Sequence, residues 1–217
     1  MNMKKKLVTV CLVACMAVTA VAGGTLAYFT DEAKKDNTFT FGNVDITLSE
    51  TYVDENGETQ TADEASEEFY GKLMPSREIM KQPIIELEGD SEGAWVFAEV
   101  ELSDDFATMM KACENPEAPA AKITAEMVEK WFNTQDGWIL KSTDDEKKWV
   151  YAYETDPLTE EGTKVSPFTA VRVSNNLNDE MVEGEKTFTV TVTAKAIQQE
   201  GLETSGDAYK ALYNIAE

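Results

Sequence analysis

A stretch near the C-terminal end leaves little choice of local structure. Phe188, Val190, Val192, Ala194 and Ala196 alternate with Thr187, Thr189, Thr191, Thr193 and Lys195. Period two puts one set of side chains on a buried sheet face and the other in water. β-Branched threonines suit a strand and stay hydrated on its wet face. The same period recurs upstream. In residues 94–103, Val96, Ala98, Val100 and Leu102 share one face. Trp95, Phe97, Glu99 and Glu101 share the other, half aromatic and half acidic, which predicts a covering loop at one end only. In residues 38–49, Val44, Ile46 and Leu48 alternate with Asp45 and Thr47 after a break at Gly42. Further strands are predicted at 78–88, 138–140, 147–154 and 168–174. Pro83 lacks an N–H, so it is expected at an edge or a strand start.

Two insertions interrupt this pattern. Residues 50–72 crowd Asp54, Glu55, Glu58, Asp63, Glu64, Glu67 and Glu68 among few apolar residues and read as a solvated acidic insertion. Residues 104–136 read as helical. Asp104 and Asp105 are expected to cap a helix running through Cys113, and Thr124 one from Ala125 to Phe132. Met127, Val128, Trp131 and Phe132 would give the second helix one apolar stripe, laid on the sandwich. A last helical piece is expected at about 207–215. Strands and helices do not alternate regularly, which argues against a parallel α/β sheet. The predicted class is all-β: an antiparallel β-sandwich with short helical insertions, one domain over residues 28–217.

Residues 1–27 read as an export signal. Lys4, Lys5 and Lys6 precede an apolar run from Leu7 to Ala22, shorter than the roughly 20 residues of a spanning helix. Ala20-Val21-Ala22 and Thr25-Leu26-Ala27 both offer small residues for cleavage, and the second is favoured, between Ala27 and Tyr28. Cys15 follows Leu12-Val13-Ala14 as in a lipoprotein signal, but the apolar run continues past it. Losing the three lysines takes the net charge from −22 to −25. Cys11 and Cys15 leave with the signal, so only Cys113 remains and no internal disulfide is available. It is expected as a half-buried thiol on a short helix.

Composition narrows the chemistry. An excess of 41 acids over 19 bases opposes binding to nucleic acid. The chain has no histidine, which removes the Ser-His, Cys-His and HExxH arrangements. No D-x-[DN]-x-[DN]-G calcium loop is present, and diffuse cation binding over 54–68 is the most the acidic insertion suggests. No cofactor is expected.

Three stretches together resemble the TasA and camelysin proteins. The first is residues 4–48, with Gly23-Gly24-Thr25-Leu26-Ala27-Tyr28-Phe29-Thr30-Asp31 followed by Asn37-Thr38-Phe39-Thr40-Phe41-Gly42. The second is residues 74–102, a proline-containing loop before two strands. The third is residues 188–212, a closing strand and the helix after it. The first run is the most specific.

The resemblance implies a jelly-roll-like sandwich, processing by a SipW-type signal peptidase, and a secreted structural protein of the biofilm matrix or cell surface. The membrane would be met only during export. It also implies self-association into fibres, the leading mature segment adding as a strand to a neighbouring subunit. Here that segment comprises Tyr28, Phe29, Thr30 and Asp31, with Phe39 and Phe41 beyond. β-Augmentation of this kind suits a sheet with an open edge. Residues 38–48 read instead as the domain's own strand. The camelysin name carries a metallo-endopeptidase activity, but catalytic zinc favours histidine ligands, so an enzyme is not expected. A surface adhesin remains the alternative among binding modules.

Overall fold

The computed structural model describes residues 30–34, 37–39, 44–53, 58–62, 73–89, 91–143 and 146–215. They form two antiparallel sheets, an all-β sandwich as expected. The first sheet contains β1 (Thr30–Lys34), β2 (Asn37–Phe39), β6 (Ala94–Leu102), β8 (Trp138–Ser142), β9 (Lys148–Tyr153) and β12 (Val190–Gln198). Its order is β2-β1-β12-β6-β9-β8. The second contains β3 (Ile46–Val53), β4 (Thr59–Ala62), β5 (Glu78–Leu87), β7 (Phe132–Thr134), β10 (Lys164–Val165) and β11 (Phe168–Arg172). Its order is β4-β3-β5-β11-β7, with β10 also on β5.

The alternation decides which side chains fill the space between the sheets. Val190, Val192, Ala194 and Ala196 of β12 and Val96, Ala98, Val100 and Leu102 of β6 lie in one core with Ile46, Leu48, Ile85 and Leu87 of the second sheet. Rings tie the two layers together. Phe132 lies edge-on at 4.8 Å from Trp149 of the first sheet and at 5.0 Å from Phe168 of the second. Contacts of this kind add to the area that each ring buries.

The outer face of the first sheet is covered at one end. Trp95 and Phe97 form a second cluster with Val150, Ala152 and Ile197. The cover is a helix rather than the expected loop: α4 (Ser205–Leu212), which follows the short α3 (Asp179–Val182). Ala208 is buried there, and Tyr209 and Tyr213 stand 6.1 and 6.3 Å from Phe97. The Trp95 Nε1–H donates to the Leu202 carbonyl at 3.1 Å. Beside this cover on β6, Glu99 meets Lys195 and Lys148.

Three local expectations are corrected. The helix α1 (Asp104–Glu114) is capped by Ser103, whose Oγ accepts from the Phe106 N–H at 3.4 Å. Asp105 instead accepts from the Thr187 N–H, and Asp104 pairs with Lys147. Both still place negative charge in the first turn, where the helix dipole favours it. Thr124 does cap the next helix, α2 (Ala125–Trp131). Pro83 lies in the middle of β5, opposite Glu50 of β3. It is tolerated because β10 pairs only Ile85 and Glu86, and β11 only Glu78 to Met80, so Pro83 falls in the gap between them. Finally, the reading of 50–72 as a solvated insertion fails at its start. Strand β3 runs on to Val53 and pairs with β4, Glu50 opposite Ala62 through Val53 opposite Thr59. Residues 54–57 and 63–72 lie outside the described residues.

Candidate functional site: the leading strand and its sheet edge

Strand β12 has two unlike sides. Toward β6 it pairs along its whole length, from Val190 opposite Leu102 to Gln198 opposite Ala94. Toward the chain's beginning it pairs with β1 at four positions: Thr30 with Ile197, Asp31 with Ala196, Glu32 with Lys195 and Ala33 with Ala194. Strand β2 then folds back on β1, with Phe39 opposite Glu32. The first described residues of the chain thus complete the edge of a sheet whose other strands come from residues 94 onward. Nothing in an antiparallel ladder records which copy supplied the added strand. The hydrogen bonds depend on register alone.

Of the predicted segment, Thr30 and Asp31 stand in β1 and Phe39 in β2. Ala27, Tyr28, Phe29 and Phe41, and the signal residues, lie outside the described residues.

The opposite edge of the same sheet is β8. It carries a register shift between Leu140 and Ser142, and Lys141 is tied to Glu154. Bulges and edge lysines are both devices that discourage further pairing. Beside β8 lies a cavity of about 430 Å³, open on one side, lined by Val128, Glu129, Thr134, Trp138, Leu140 and Tyr151 among others. The Tyr151 hydroxyl is 3.2 Å from the Thr134 Oγ1, and burial pushes its phenol up to about 12. A phenol so held is no base at neutral pH.

Two charge clusters attend β12 and β3. On the outer face Glu99 meets Lys195 at 3.0 Å and Lys148 at 3.1 Å, binding three adjacent strands. Burial alone would raise the Glu99 carboxyl, but the two lysines outweigh it and hold it below the ordinary carboxylate range. In the interior, Lys81 Nζ lies 2.6 Å from Glu50 Oε1, and both residues are almost fully enclosed at 2% and 1% exposure. The charge run of 50–72 hid this pair. Its signal was available: Glu50 continues the inward positions of Ile46 and Leu48, and Lys81 those of Ile79 and Ile85.

Zinc catalysis asks for about three protein ligands and an open position. The chain has no histidine. Cys113 is fully buried rather than half-buried, with its Sγ 3.6 Å from the Met181 Sδ, and burial, then the Glu114 charge, pushes its thiol up to about 11. Among the described residues no three cysteine, aspartate or glutamate side chains converge. These residues do not fit such a centre. Among the same residues no helix is long and apolar enough to cross a membrane.

Residues 2–85 match the family model described as camelysin metallo-endopeptidase. The resemblance drawn from the sequence therefore holds over residues 2–85, which include β1 to β4 and most of β5. No curated protein and no solved structure matches the chain.

Proposed function

We propose, from a chain whose leading portion matches the camelysin family, an exported and non-enzymatic sandwich subunit of a matrix or cell-surface fibre. Subunits join when the leading strand of one copy takes the β12 edge of the next. The observation that carries this reading is the pairing of residues 30–33 on Ile197 to Ala194: the first described strand lies on one flank of β12, whose other flank is held by β6. A strand so placed exchanges between copies without loss of ladder bonds, as in domain swapping. The leader would be removed by a SipW-type signal peptidase before assembly. At a charge near −25 the subunits repel, so acid, salt or divalent cations favour joining.

Ala33→Pro tests it. Ala33 pairs with Ala194 on one side and Thr38 on the other, and proline removes one of those donors. The processed wild-type chain is expected to scatter light increasingly as pH falls from about 8 toward 4, while the variant stays folded and monomeric. Equal assembly of both would overturn the reading.

The name of the matching family favours a second reading, a metal-dependent endopeptidase. Chelator-sensitive cleavage of casein by the purified chain would support it and remove the first.

A further inference from the structure

The interior pair of Glu50 and Lys81 has no part in the assembly reading. Both groups face the space between the sheets, on adjacent strands held in register by seven paired positions from Ile46–Leu87 to Tyr52–Lys81. Glu50 lies opposite Pro83 and Lys81 opposite Tyr52, so the two are diagonal neighbours on one face, a spacing that two long side chains bridge. We propose that this pair condenses to an intramolecular amide between Glu50 Cδ and Lys81 Nζ, a covalent cross-link between β3 and β5.

The chemistry follows from placement and dryness. Lys81 Nζ is 2.6 Å from Glu50 Oε1, which puts the carboxyl carbon one bond further, at about 3–3.5 Å, the near-attack range. In a low-dielectric interior an isolated charge is costly, and transfer of one proton from nitrogen to carboxylate gives amine and acid, the reactive forms. A turn about the Cγ–Cδ bond presents the carbonyl face to the nitrogen. The Nζ–Cδ bond forms as one Cδ–Oε bond breaks. The departing oxygen carries the first proton and takes a second from nitrogen, so ammonium plus carboxylate becomes amide plus water. No oxidant or co-reactant is consumed. Two features favour the product. The amide removes two buried charges whose desolvation the ion pair must otherwise offset. Water released from an enclosed site is lost to bulk, which opposes hydrolysis. Fixed neighbours of this kind reach effective concentrations of about 10⁵–10⁸ M, which compensates for a poor leaving group.

The consequence suits an exported chain in which Cys113, the cysteine among the described residues, is a free thiol. The bond closes a ring across 31 positions of sequence, and it fastens the second sheet's edge hairpin to the strand at that sheet's centre. Such a ring limits the unfolded chain as a disulfide does.

Mass spectrometry of the fully unfolded chain tests this. The wild type should be lighter than its sequence by one water. Tryptic digestion should yield a branched product joining the peptide of Glu50 to that of Lys81, with no cleavage after Lys81. Lys81→Met should carry the full sequence mass, and this reading holds whether or not the variant folds. A wild-type mass equal to the sequence, or a missing water that persists in Lys81→Met, would overturn the proposal. Neither result bears on strand exchange, whose test is the scattering of the Ala33→Pro chain.

Discussion

The two flanks of β12 differ in kind. On the β6 side, nine consecutive pairs run between two strands whose inward residues are all buried. On the β1 side, four pairs join the body to the first of the described strands. The first flank is fixed by the hydrophobic effect acting on side chains between the layers. The second is written in backbone donors and acceptors, which any extended segment of suitable register satisfies. One flank makes the fold; the other is the one that the proposed fibre would use.

The largest expected effect comes from breaking the first flank. Val100 is fully buried on β6, between Val192 of β12 and Trp149 of β9. Val100→Asp places an unpaired carboxylate there and should cost more than about 4 kcal/mol, a large fraction of a domain's stability. Thermal denaturation followed by circular dichroism should find little or no folded protein. A cooperative transition near that of wild type would mean that β6 is not the spine of the sheet.

A middle-sized effect should appear on acidification. Glu99, with burial opposing and Lys195 and Lys148 prevailing, is held below the ordinary carboxylate range. Glu154 is lowered by Lys141 first, then against some burial by Ser205 at the start of α4. Carboxyls held low in the folded state stabilise it above the ordinary range, and that contribution disappears as pH drops through their folded values. Both pairs hold the outer face near α4, where Lys195 also sits 5.2 Å over the Tyr213 ring. Amide exchange below about pH 4 should therefore accelerate in Ser205–Leu212 before it does in Val190–Gln198. Simultaneous loss in both would contradict this order.

The smallest effect on stability belongs to the second flank. Ala33→Pro removes one ladder bond, worth about 1 kcal/mol, yet it should abolish joining. A change almost silent in the monomer and decisive for assembly is the signature that separates the two flanks.

Legibility followed the same division. The period of 187–198 and 94–103 announced β12 and β6, because burial on one face leaves a residue-by-residue mark. The aromatic and acidic halves of the outer face were readable for the same reason, and α4 covers the aromatic half. Ser103 is hard to read as a cap because the two aspartates directly after it offer the same chemistry. The Glu50–Lys81 pair was missed because a run of acids looks solvated until the strand beneath it is known. The leading segment was recognisable by its residues, but the edge that receives it was not. Pairing between residues 30–33 and 194–197 is a matter of register, and backbone groups are the same in every residue but proline.

In the proposed fibre the leading strand serves a neighbour as readily as its own sheet. Cysteines at Ala33 and Ala194, which face each other in register, report the owner of the strand. One chain carries Ala33→Cys and a second, distinguishable by mass, carries Ala194→Cys; Cys113 is buried and its thiol resists ionisation. The two are mixed, brought to assembling conditions, oxidised and separated under denaturing conditions. Strand exchange predicts a disulfide-linked heterodimer that joins the two labelled chains and grows with assembly. Fibres that form without that cross-link would contradict it.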